Sequence, residues 1–130
     1  MEILQPAHWP RPKGYANGVA ASGRMIFVSG MIGWDAQGQF ALDFVGQVRQ
    51  ALKNVVEVLA EANARPEHIV RMTWYVVNKD EYKSAYKEIG RVYREIIGTH
   101  YPAMTAVQVA ALIEEAARVE IEVTAVIPAK

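Results

Sequence analysis

The residues best placed to do chemistry are few. "VEIEVTAVI" (119–127) alternates Glu120, Glu122 and Thr124 with apolar neighbours, and "VSGMI" (28–32) holds Ser29 and Gly30. A period of two sends Glu120, Glu122 and Thr124 to one side of a strand and Val119, Ile121, Val123, Ala125 and Ile127 to the other. If the polar side is enclosed by neighbouring subunits, Glu120 is a carboxylate able to orient a water and move a proton. The plainer reading, a solvated glutamate beside a basic residue, suits Glu122 better. Ser29 precedes a glycine, and a strand glycine permits close backbone approach, so the hydroxyl and the Gly30 region could meet a ligand or simply be satisfied by neighbouring backbone. His8, His68 and His100 lie in unrelated segments, which suggests neither a Ser-His-Asp order nor a metal-ligand spacing. The chain has no cysteine, so disulfides, thiolate catalysis and zinc-thiolate sites are excluded.

These side chains must be positioned by a chain of 130 residues, the size of one domain, 1–130. Fourteen basic and fourteen acidic residues cancel and are interspersed, which argues against nucleic acid and anionic membrane as partners. No leader pattern is evident and no stretch approaches about 18 uninterrupted apolar residues, so the expected location is cytoplasmic.

"QPAHWPRPKG" (5–14) carries three prolines and no apolar period, and residues 1–15 are expected to form an extended arm lying on something else. "GVAAS" (18–22) and "MIFVSGMI" (25–32) read as a hairpin turning at Gly23-Arg24. From Asp43 to about Ala64, Phe44, Val48, Leu52, Val55, Leu59 and Ala62 form one stripe of an amphipathic helix. "HIVRMTWYVV" (68–77) is a strand, and Asp80 is a plausible N-cap for a second helix whose stripe runs from Tyr82 to Ile96 and is ended by Gly98. "TAVQV" (105–109) and 118–127 close the chain as strands.

The order ββαβαββ lets two helices cover one face of a single mixed sheet, a two-layer α+β domain. What covers the other face? In the strand at 25–32 both alternating sets are largely apolar, Ile26, Val28, Gly30 and Ile32 against Met25, Phe27, Ser29 and Met31, which is too apolar for a sheet with one wet side. The chain is therefore expected to be a homo-oligomer. Trp34, Trp74, Met31, Met104 and Tyr101 read either as core and interface filler or as the wall of an apolar ligand pocket, with Trp74 the one expected beneath the helices.

"GYANGV", "VSGMIGWD", "PAMTAVQVA" and "VEIEVTAV", in this order over nearly the whole chain, resemble the RidA/YjgF family. Its members are also labelled enamine/imine deaminase, endoribonuclease L-PSP or translation initiation inhibitor. The resemblance implies a chorismate-mutase-like fold and a homotrimer with clefts between subunits. For the deaminase members it implies cofactor-free hydrolysis of imines such as 2-aminoacrylate to a ketoacid and ammonia. It places the family tyrosine at Tyr15, the strand serine at Ser29 and the water-holding carboxylate at Glu120. The arginine that grips the substrate carboxylate falls on Met104, a common glutamine on Met31 and a helix asparagine on Gly90.

A guanidinium binds a carboxylate through two parallel hydrogen bonds, and a thioether offers no donor. Arg71, which shares strand parity with Thr73 and Tyr75, could take over or could be a solvated edge charge. The expected activity is hydrolysis of an enamine or imine less anionic and more apolar than 2-aminoacrylate, with Glu120 catalytic. Tyr15, Ser29, Gly30, Met31, Met104 and Tyr101 would line the site, with no metal and no cofactor. The alternatives are a non-catalytic trimer binding a small molecule or a partner, and, more weakly, an endoribonuclease or translation inhibitor.

Overall fold

The computed structural model describes residues 1–130. Its elements are β1 (Glu2–Leu4), β2 (Gly18–Ala20), β3 (Gly23–Ile32), α1 (Phe44–Glu61), a 3₁₀ turn (Pro66–His68), β4 (Ile69–Val76), α2 (Lys79–Ser84), α3 (Tyr86–Ile96), β5 (Ala103–Gln108) and β6 (Val119–Pro128). The four long strands form one sheet in the order β3-β6-β4-β5, and β1 pairs with β2 in a separate two-stranded ribbon. β6 runs antiparallel to both β3 and β4, whereas β5 runs parallel to β4, so the sheet is mixed. The helices pack on one face of it, giving the expected α+β layers.

One core joins the layers. Val48, Leu52, Val55 and Leu59 of α1 and Ile69, Met72, Val119 and Ile121 of the sheet are almost wholly shielded from solvent. α1 starts where Asp43 accepts a hydrogen bond from the Gly46 N–H at 2.9 Å, which satisfies an otherwise unpaired donor of the first turn. The one buried polar side chain, Gln47, is fully used: its amide donates to the Ala116 carbonyl at 2.9 Å and accepts from the Arg118 N–H at 2.8 Å. This clamp, with the Arg118–Glu81 ion pair, fixes the start of β6 and so the depth at which Glu120 leaves the sheet.

Several expectations change. Gly23-Arg24 is not a turn: Gly18–Ala20 pairs with Glu2–Leu4, and β3 pairs from Gly23 onward with the far end of β6. The ten-residue β6 offers β3 a full-length partner, while β2 is only three residues long. Gly23 is needed for the approach rather than for a reversal: its φ is +144°, and a side chain there would collide with the Ile127 carbonyl. The arm begins with a strand, and it lies against the start of β5, where the Ala16 N–H donates to the Pro102 carbonyl at 2.9 Å.

The second helix is two helices. Asn78, not Asp80, is the cap, accepting from the Asp80 and Glu81 N–H groups at 3.0 and 3.1 Å, so Asp80 sits inside the first turn, where a carboxylate complements the helix dipole. The chain breaks at Ala85 before α3 resumes, without a glycine or proline to mark the place.

Candidate functional site

β5 and β4 pair in parallel with Met104 opposite Met72, Ala106 opposite Trp74 and Gln108 opposite Val76. Paired residues share a face, and Met72, Trp74 and Val76 are buried beneath the helices, so Met104 points to the helix side of the sheet. On the other face Arg71, Thr73 and Tyr75 of β4 stand across from Thr124, Glu122 and Glu120 of β6. Met104 and Glu120 therefore lie on opposite faces of one sheet. Arg71 lies with Glu120, its Nη2 at 3.5 Å from the Thr105 hydroxyl, and does not reach the Met104 side of its own chain.

Around Met104 is a pocket of about 850 Å³ between the α2-α3 segment and the β4-β5 edge. Its floor is Trp74, Ile89 and Tyr93, which are buried, and its walls include Tyr82, Tyr86 and Tyr101. Tyr15 closes one side from the anchored arm. The rings are held against each other: Tyr93 and Tyr101 stack at 5.4 Å, Tyr82 meets Tyr86 edge-on at 5.1 Å, and Trp74 tilts against Tyr82 at 6.1 Å. The Tyr93 hydroxyl donates to the His100 carbonyl at 2.6 Å, fixing the turn that leads into β5. Burial, then Tyr101, pushes the Tyr93 phenol well above its ordinary range; burial, then Tyr86, raises Tyr82. The Trp74 indole N–H is sealed from solvent and has no acceptor. Trp74 is thus in the core, as expected, and also forms part of the pocket.

A smaller cleft of about 400 Å³ opens on the other face, lined by Phe27, Ser29, Arg71, Thr73, Glu122 and Thr124 among others. Ser29 is exposed there, and none of the chain's side-chain hydrogen bonds uses its hydroxyl. A register shift between Val28 and Met31 makes a bulge at Ser29-Gly30. At Gly30 the close approach comes from the chain itself: the Glu120 carboxylate lies where a Gly30 side chain would be. Glu120 is half-buried and makes no side-chain hydrogen bond, so its oxygens are free to hold a water. Glu122 accepts from the Tyr75 hydroxyl at 2.6 Å, which raises the Tyr75 phenol, and so is paired with a phenol rather than a base.

The bulge also re-aims one candidate. Met31 sits across from the buried Ile121 and packs on the core, so it leaves the face of Phe27 and Ser29 that strict alternation gave it, and it lines neither cleft. The remaining candidates fall into two groups: Tyr15, Tyr101 and Met104 in the helix-side pocket, Ser29, Gly30 and Glu120 on the open face. Gly90, where the resemblance puts a helix asparagine, also lines this pocket, whereas Arg94, Lys79 and Lys83 carry no sequence signal of a ligand-facing role, because only the fold brings them beside Met104.

This is a two-layer fold of the RidA/YjgF type with a pocket at its sheet edge. The family model for Endoribonuclease L-PSP matches residues 8–127, and the chain belongs to that family, the RidA/YjgF family. The chain is 32% identical over 127 residues to the 2-iminobutanoate/2-iminopropanoate deaminase of Bos taurus, covering 96% of this chain and 89% of the relative. It is 35% identical over 130 residues to a RutC family protein of Aquifex aeolicus, covering 97% and 99%. Among solved structures, a Rid-family protein of unknown function, YyfB from Yersinia pestis, superposes with a TM-score of 0.85 at 29% identity, covering 97% of this chain and 98% of that one. TdcF of E. coli with bound serine gives a TM-score of 0.69 at 30% identity, covering 97% and 98%.

Proposed function

We propose that the chain hydrolyses an enamine or imine more apolar than 2-aminoacrylate, in a site shared between two copies of the chain. The observation that carries this reading is the division of the candidate residues between two faces of one sheet. A water held by Glu120 and a substrate lying against Met104 and Tyr15 can meet only if one copy supplies the carboxylate and another the pocket. The open face supports such an assembly: Phe27 is 71% exposed and Met25 57% exposed in the single chain, an apolar surface of the kind that self-association covers. A homotrimer with three such clefts, as the family resemblance implies, satisfies this.

Glu120 takes a proton of the attacking water as it adds to the C=N carbon and passes it to the nitrogen, giving a carbinolamine. Glu120 then moves the carbinolamine hydroxyl proton to the nitrogen as the C–N bond breaks, and the carbonyl product and ammonia leave. An enamine first gains a proton at carbon and loses one from nitrogen to give the imine. Ser29, on the same face, would hold the polar end of the substrate beside the carboxylate. Tyr15 would close the pocket, and its walls orient the substrate body and shed water. The names of the Bos taurus relative and its like support the reaction class, and the aromatic pocket supports the apolar substrate.

The test is acceleration of ketoacid release from imines generated in situ by an amino-acid oxidase. Glu120→Gln should lower it by about 10²–10⁴-fold, the usual range for a lost acid-base group, with the assembly intact by light scattering. An unchanged rate in that variant would overturn the proposal. The other reading, a binding trimer without catalysis, is favoured by the thioether at 104 and predicts no acceleration by the unaltered protein.

A further inference from the structure

Nothing about Met104 explains how a charged substrate would be held, yet its pocket is not neutral. Lys13, Lys79, Lys83 and Arg94 stand at its mouth, all exposed, while the floor is buried and apolar. No aspartate or glutamate lines the pocket. None of the four cations belongs to an ion pair; the chain's four pairs are Arg49–Glu95, Arg65–Glu67, Arg91–Glu95 and Arg118–Glu81. A chain of zero net charge has thus gathered unpaired positive charge around this pocket.

One of the four is set into the wall. Glycine is the poorest helix former after proline, yet Gly90 lies in the middle of α3. Arg94, one turn further on, folds back over it: Nη1 lies 3.2 Å from where a Gly90 Cβ would be. A longer side chain at 90 would displace the guanidinium. The residue missing at 90 therefore makes room for an arginine beside the pocket whose position 104 lacks one.

We propose that the pocket takes a flat aromatic molecule bearing a carboxylate, its ring among Trp74, Tyr82, Tyr93 and Tyr101 and its carboxylate on Arg94 and Lys83. The anion-reading role is moved from position 104 to α3 rather than lost, so the substrate is more apolar than 2-aminoacrylate but not less anionic. A guanidinium grips a carboxylate through paired hydrogen bonds, and tyrosine and tryptophan faces accept both an aromatic ring and the cation. This rests on the reading of the chain as an imine hydrolase and names the substrate class, an aromatic imino acid.

The test uses 3-phenylpropionate and its neutral analogue 3-phenylpropanamide as probes, with binding to the assembled full chain followed by calorimetry. The acid should bind about tenfold or more tighter than the amide, with the preference shrinking as salt rises. In the Arg94→Ala/Lys83→Ala variant the preference should vanish and amide binding should persist. Both side chains are exposed, so the fold is expected to survive. Equal affinity for the two probes, or a preference that survives in the double variant, would overturn the assignment. Aromatic imine hydrolysis without an acid preference would sink this inference and leave the deaminase reading standing. An acid preference without imine hydrolysis would do the reverse.

Discussion

The two faces of the sheet are built to different rules. The helix side is closed by intramolecular packing: its rings stack on one another, its phenols are raised by burial, and one hydroxyl is used to fix the approach to β5. The open side is unfinished. Ser29 and Glu120 make no side-chain hydrogen bonds, a bulge has been spent on seating the carboxylate, and Phe27 and Met25 face solvent in the single chain. A face complete in itself holds a ligand's body; a face left incomplete invites a second copy. In the proposed function the first recognises and the second reacts, and neither half of the site would be useful without the other.

The largest expected effect breaks the open side. Gly30→Val should push the Glu120 carboxylate from its seat and lower imine turnover by about 10²–10⁴-fold, as removal of the carboxylate does, with circular dichroism unchanged. Next comes a pair that separates the faces by stability. Leu52→Ala, under the helices, should cost roughly 2–5 kcal/mol in denaturant unfolding at any protein concentration. If its partner is another copy, as proposed, Phe27→Ala should cost little at high dilution and should make the melting temperature more dependent on concentration. Equal, concentration-independent losses would place both residues in the same kind of core.

A smaller effect concerns Tyr93. Tyr93→Phe removes the bond to the His100 carbonyl and should cost about 1 kcal/mol. The native phenol is raised, so its contribution is whole below the ordinary tyrosine pKa of about 10 and falls as pH climbs beyond it, when only the unfolded chain readily releases the proton. The variant's stability should therefore decline less steeply above that pH. The smallest change is at the surface, where Arg49 holds the Glu95 carboxyl low through a hydrogen bond and charge. Arg49→Ala should slightly weaken the protein at neutral pH, and the difference should fade as acid protonates Glu95 in the unaltered chain.

Much of this arrangement was legible in the chain. The stripe from Phe44 to Leu59 and the alternation from Val119 to Ile127 are local periods, and both elements stand where those periods put them. What misled was partner choice and register. Whether Gly18–Ala20 pairs forward or backward depends on a strand a hundred residues away, and strict alternation cannot foresee the bulge that turns Met31 into the core. The side on which Met104 lies follows from the parallel register of β5 on β4, which no local pattern records. The seat of Arg94 over Gly90 had a visible trace in the mid-helix glycine, but its meaning came only with the pocket.

The most direct test of a site divided between faces is complementation. Glu120→Ala leaves the pocket whole, and Gly90→Trp fills the pocket while leaving the carboxylate in place. Each variant alone should be inactive on an aromatic imine generated from phenylalanine by an amino-acid oxidase. Refolded together into mixed assemblies, they should regain turnover that neither parent shows, because some clefts then join an intact pocket to an intact carboxylate. Mixed assemblies no more active than their parents would contradict a site shared between two copies.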